Sequence, residues 1–130
     1  PRVAARYQIL ASCAHELRRA AVLGDFGDLL PHASVAPLLG ATPPTFAQVA
    51  ALRVEGASAS APRHSMMLER VAELCDGLSG RALRKLPFLA HAMFAPEAAG
   101  DAPLPLDAFL DALHRAVQHE GEARAELDSM

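Results

Sequence analysis

Gly77-Leu78-Ser79-Gly80-Arg81-Ala82-Leu83-Arg84-Lys85-Leu86-Pro87-Phe88-Leu89-Ala90-His91-Ala92 is the most informative stretch of this 130-residue chain. Ser79 is a residue type that caps helix starts through its hydroxyl, and Leu83, Leu86, Leu89, Ala90 and Met93 then recur at three- and four-residue steps. That spacing predicts a helix with one apolar face. Pro87 lacks an amide donor and crowds the preceding turn, at about 3 kcal/mol in a regular helix, so a kink or restart is expected at Leu86–Pro87. Three cations crowd the same helix start, where the partial positive charge of the free amides disfavours them by a few tenths of a kcal/mol. A phosphate in front of Arg81 would relieve that cost, with first-turn amides and a fork-shaped guanidinium as its donors. A solvated basic face on an ordinary core helix is the other reading. Lys85 is the chain's single lysine beside eleven arginines, and it falls inside this segment.

Working outward, Ser65 can cap a preceding helix that carries Leu68, Val71, Ala72 and Cys75 and stops at Gly77. Upstream of it, Gly56-Ala57-Ser58-Ala59-Ser60-Ala61-Pro62 has no large apolar side chain to offset its ordering entropy, so a mobile loop is expected over 56–64. Thr45 and Gln48 have the form of a capping box for a short helix, whereas 25–44 is punctuated by Pro31, Pro37, Gly40, Pro43 and Pro44. The whole of 24–65 is expected to be a long irregular connection. Val3, Tyr7, Leu10, Ala14, Leu17 and Ala21 predict a first helix over about 2–23, ended by Gly24, with Arg2, Arg6, Glu16, Arg18 and Arg19 mostly off its apolar stripe. After a loop from Ala95 to Pro103, Leu106, Phe109, Leu110, Leu113, Ala116 and Val117 define a last helix. Asp107 early and Arg115 late suit its dipole, and Glu120–Met130 is expected to fray. The fold class is therefore all-α, a bundle of four or five helices.

Composition narrows the function. Hydrophobic residues make up 52%, aromatic ones only 5%, and the net charge is −3. These values imply a single core of small and aliphatic side chains, with no basic stripe for nucleic acid and no apolar run of about 18 residues for a membrane. A start at Pro1 with no signal-peptide pattern is expected of a piece of a longer protein. Cys13 and Cys75 lie on apolar helical positions and read as buried free thiols. The six histidines fall in no ligand spacing, so no metal site is expected. No Walker A sequence is present, no serine has a plausible base, and Asp107 with Asp111 is expected on a solvated face.

Three segments in order, Ala5-Arg6-Tyr7-Gln8-Ile9-Leu10, Gly77-Leu78-Ser79-Gly80-Arg81 and Leu106-Asp107-Ala108-Phe109-Leu110-Asp111-Ala112-Leu113, resemble the helical lid of AAA+ ATPases. More narrowly, the run from Gly77 to Ala92 resembles the pachytene checkpoint protein 2 (thyroid hormone receptor interactor) family. The resemblance implies that 1–130 is the small lid domain of a longer ATPase. It further implies that Arg81 is the sensor 2 arginine, reaching the nucleotide's phosphates in a catalytic role. Gly80 would approach the nucleotide through its backbone, and Ile9 and Cys13 would line the adenine pocket, although many relatives carry another residue at the position of Cys13.

The implied cofactor is ATP, with magnesium held by the large domain. The implied partners are that large ATPase domain, neighbouring subunits of a homohexamer and, through the parent, HORMA-domain proteins of the spindle and meiotic checkpoints, in nucleus and cytoplasm. No nucleic acid and no membrane are implied. The fragment alone, without Walker A and Walker B, is expected to be monomeric and inactive. A different class also fits the residues: a helical protein-interaction module whose basic segment binds an acidic partner helix.

Overall fold

The computed structural model describes residues 1–52, 60–94 and 102–129. Within them the chain forms six helices: α1 (Val3–Arg19), α2 (His32–Leu39), α3 (Phe46–Ala50), α4 (Ser60–Leu74), α5 (Gly80–Phe94) and α6 (Leu106–Asp128). α1 packs on α4 and α5, α6 packs on α5 and α4, and the short α2 and α3 lie against α4. The shared core is aliphatic, built on Leu10, Leu68, Leu83, Leu86, Leu110 and Leu113, with Tyr7 and Phe109 as its largest members. Each such leucine contributes about 1.5–3 kcal/mol by leaving water. Among the described residues no helix is long and apolar enough to cross a membrane.

The all-α expectation holds, but the helix count and several boundaries differ. α1 stops at Arg19 rather than near 23, and Gly24 is not what stops it. Ala21 takes the left-handed conformation at φ 61°. Its amide donates to Arg18 O at 3.0 Å, and that of Val22 to Leu17 O at 3.0 Å, which closes a Schellman motif with alanine where glycine is usual. Gly24 instead donates to Leu104 O, while the Leu104 amide donates to Val22 O.

The connection is less irregular than expected, since it holds α2 and α3. In α2 the prolines mislead: Pro31 sits at the cap, and Pro37 falls inside a helix of eight residues that still buries Val35 and Leu39 one turn apart. α3 has the complete Thr45–Gln48 capping box. Residues 56–59 of the expected mobile loop lie outside the described residues, but 60–64 begin α4. Pro62 is tolerated there because amides of a first turn have no intrahelical acceptor in any case. Ser65 is consequently not a cap. It is buried inside α4, where its hydroxyl donates to Ala61 O at 2.6 Å and accepts from the Leu30 amide at 2.9 Å, tying the connection to the core.

α5 runs through Pro87 without a restart. α6 continues to Asp128 on exposed residues, in place of the expected fraying. Arg6, off the apolar stripe by its spacing, is 4% exposed. Its Nε donates to Ala72 O at 2.7 Å and its Nη1 to Pro1 O at 2.6 Å, so a cation joins α1 to the last turn of α4. Cys75 is buried as expected, whereas Cys13 is only half-buried.

Candidate functional site

The loop between α4 and α5 sets the position of the basic segment. Gly77 turns the chain at φ 91°, a conformation that suits glycine, and Ser79 Oγ accepts from the Ala82 amide at 3.1 Å, capping α5 as its sequence predicts. α5 therefore starts at Gly80, against α1. A Cβ placed on Gly80 would meet Ile9 Cδ1 at 3.9 Å and Arg84 Nη1 at 3.7 Å, both ordinary contacts. Packing within the chain thus does not require glycine at this position.

Beside Gly80 lies a groove of about 200 Å³ lined by Gln8, Ile9, Ser12, Cys13, Glu16 and Arg84. The structure brings Ile9, Cys13 and Gly80 to one place across the α1–α5 contact. Arg81, next in the chain to Gly80, is exposed and lies outside that wall. Burial raises the Cys13 thiol above its usual range, Glu16 raises it further and Arg84 partly opposes them. The pocket wall is accordingly a neutral thiol at pH 7, chemically close to a small apolar side chain.

The three cations of the segment diverge. Arg81 points into solvent with no ion pair among the described residues, Arg84 turns toward α1, and Lys85 borders a separate groove with Leu78, Leu89 and Glu120. Sequence reading did not single out Arg84 as a member of the groove. Its spacing puts it four residues past Gly80 on the same helix face, but only the position of α1 brings it to the groove.

A larger cavity of about 610 Å³ opens where α4 and α6 begin, with Phe26, Arg63, His64 and Asp107 among its walls. Three of its charged or titratable groups pair with one another, although Arg63 Nε and His64 Nδ1 are buried without a partner. Arg63 Nη1 donates to both Asp107 oxygens at 2.9 and 3.1 Å, its Nη2 donates to Ala50 O at 2.6 Å, and His64 Nε2 pairs with Asp107. Burial pushes the Asp107 carboxyl up, but the hydrogen bonds from Arg63 and His64 outweigh it and hold the group below the usual carboxylate range. Asp107 lies on the exposed face expected from its spacing with Asp111, its side chain 53% exposed, and there also serves as counter-ion to Arg63 and His64. Asp111 pairs along the helix with Arg115 at 3.1 Å.

The family model described as "TRIP13-like, AAA+ ATPase lid C-terminal domain" matches residues 2–121. The chain belongs to this lid family. The lid is 39% identical over 126 residues to the pachytene checkpoint protein 2 homolog of Oryza sativa subsp. indica, covering 92% of this chain and 23% of that protein. It is 44% identical over 66 residues to the homolog of Canis lupus familiaris, covering 50% of this chain and 14% of that protein. Against the human homolog it is 44% identical over 64 residues, or 48% of this chain and 14% of that protein. The lid thus spans less than a quarter of the length of these relatives.

Proposed function

We propose that the lid senses nucleotide for a longer AAA+ ATPase, with Arg81 meeting the phosphates and Ile9, Cys13 and Gly80 forming one side of the adenine pocket. One observation carries this reading. The α1–α5 contact joins Ile9 and Cys13, a glycine that packing does not require and a helix start whose arginine has no ion pair among the described residues. A half-open groove of that kind fits the base end of ATP, whose other walls and magnesium would come from the large domain. A charge-assisted bond from Arg81 would be made to ATP more strongly than to ADP. Loss of that bond on hydrolysis would let the lid rotate against the large domain.

In this reading the parent is a hexameric remodeller of HORMA-domain proteins in the spindle and meiotic checkpoints, working in nucleus and cytoplasm. Neighbouring subunits would pack on its lid surfaces. The test is steady-state ATP turnover of the parent protein with Arg81 or Arg81→Ala at equal hexamer concentration. Losing one preorganised donor should lower kcat about 10²-fold with hexamers intact. Unchanged turnover would reduce Arg81 to a surface cation.

A protein-docking role is favoured by a different observation: Phe88, Leu89 and Met93 on α5 are 59%, 42% and 55% exposed. Exposed apolar side chains grouped along one helix suit a partner surface.

A further inference from the structure

The groove between α1 and α5 has a feature that the sensor reading leaves unused, and the role inferred for it rests on that reading. Its volume of about 200 Å³ lies below the ~300–1,000 Å³ typical of sites that enclose a whole small molecule. A single flat ring system fits this space, and a complete nucleotide does not. Ile9 and Cys13 give the lining an apolar part beside Gln8, Ser12 and Glu16, and Arg84 borders the same groove with Nη1 3.7 Å from the Cβ position of Gly80. Glu16 borders the same groove, yet Arg84 makes neither an ion pair nor a side-chain hydrogen bond among the described residues. A planar guanidinium left unpaired beside apolar Ile9 and Cys13 is suited to stack on an aromatic face.

We propose that Arg84 is a base-binding residue, stacking its guanidinium on the purine ring of the nucleotide while Ile9 and Cys13 cover the opposite face. Arg84 and Arg81 then divide the ligand: Arg84 reads the base end and Arg81 the phosphate end. A stacking contact is indifferent to the number of phosphates and depends on the plane of the guanidinium as well as its charge.

The experiment is equilibrium binding of AMP, ADP and ATP to the parent protein carrying Arg84, Arg84→Ala, Arg84→Lys or Arg81→Ala. Arg84→Ala should weaken all three nucleotides by a similar factor of about three to thirty, and Arg84→Lys should restore little of it. Arg81→Ala should weaken ATP more than AMP. A loss in Arg84→Ala that grows with phosphate number and is rescued by lysine would make Arg84 a phosphate contact and overturn the proposal. Unchanged binding in Arg84→Ala, with tight binding in the unsubstituted protein, would also overturn it while leaving the lid reading intact. Absence of nucleotide binding to the unsubstituted parent would overturn both. Unfolding of the 130-residue chain should be unchanged by Arg84→Ala, which separates a ligand contact from a structural one.

Discussion

Two corners of the molecule place guanidinium groups near a carboxylate, and they are built in opposite ways. Where α4 and α6 begin, Arg63 is closed onto Asp107 and Ala50 O, and its side chain is 13% exposed. Between α1 and α5, Arg84 and Glu16 border one groove without pairing, and Arg81 is exposed. A charge whose Nη1 and Nη2 donors are both taken by the chain contributes to folding and has less left for a ligand, although Arg63 Nε is buried without a partner. A charge left unpaired contributes little to folding and keeps its donors for something else. The larger cavity is thus the poorer candidate for an anion site, because the Arg63 charge is already committed to Asp107 and Ala50 O.

The contrast breaks most readily through stability. Arg63→Ala removes charge-assisted bonds to Asp107 and one to Ala50 O, and should cost the chain about 2 kcal/mol in urea unfolding. Arg81→Ala should stay within about 0.5 kcal/mol with helix content unchanged by circular dichroism. Equal losses in the two variants would erase the distinction between the corners.

A buried carboxylate sharpens it. Glu69 is 4% exposed, and its Oε2 accepts no hydrogen bond, with Arg70 Nη1 3.7 Å away. Burial raises the Glu69 pKa, Arg70 lowers it, Glu73 raises it, and His32 and Arg6 lower it, with a net upward shift. Because the folded value lies above the unfolded one of about 4.3, stability falls as pH rises from there through the folded value, and the penalty persists at pH 7. Glu69→Gln should therefore stabilise the chain by about 1 kcal/mol at pH 7, with the gain vanishing below pH ~4. A gain independent of pH would show that Glu69 carries no charge penalty and would remove its contrast with the well-partnered Asp107.

The smallest effect is expected at Ala21. Glycine there would relieve a left-handed alanine at about 1 kcal/mol but lose some of that to unfolded-state entropy, so Ala21→Gly should stabilise by about 0.5 kcal/mol in thermal unfolding. Destabilisation would mean that the alanine methyl is worth more than its strain.

Periodicity makes α1, α5 and α6 legible, and cap chemistry locates the starts of α3 and α5 through Thr45 and Ser79. The failures have specific causes. Proline reads as punctuation at Pro31, Pro37 and Pro62, although short helices and first turns tolerate it. Arg6 looks like a surface cation because hydrophobic spacing carries no information about the Ala72 carbonyl, 66 residues away, that its Nε meets. In the candidate site, Ile9, Cys13 and Gly80 are found through family resemblance, not through any local rule. Arg84 lies on the same helix face, but nothing in the sequence distinguishes it from Arg81 or Lys85 until α1 is in place.

The exchange of hydrogen bonds among Val22, Gly24 and Leu104 has a consequence for the order of folding. The isolated parallel bridge between Leu23 and Leu104 joins residues 81 positions apart, in addition to the long-range packing of α1 on α4 and α5. Such a contact closes a long circuit of chain and bears its loop entropy late, once α4 and α5 have shortened the path between its ends. The Gly24 and Leu104 amides should gain protection from hydrogen exchange after those of α4 and α5, marking the step at which the two ends of the circuit lock together.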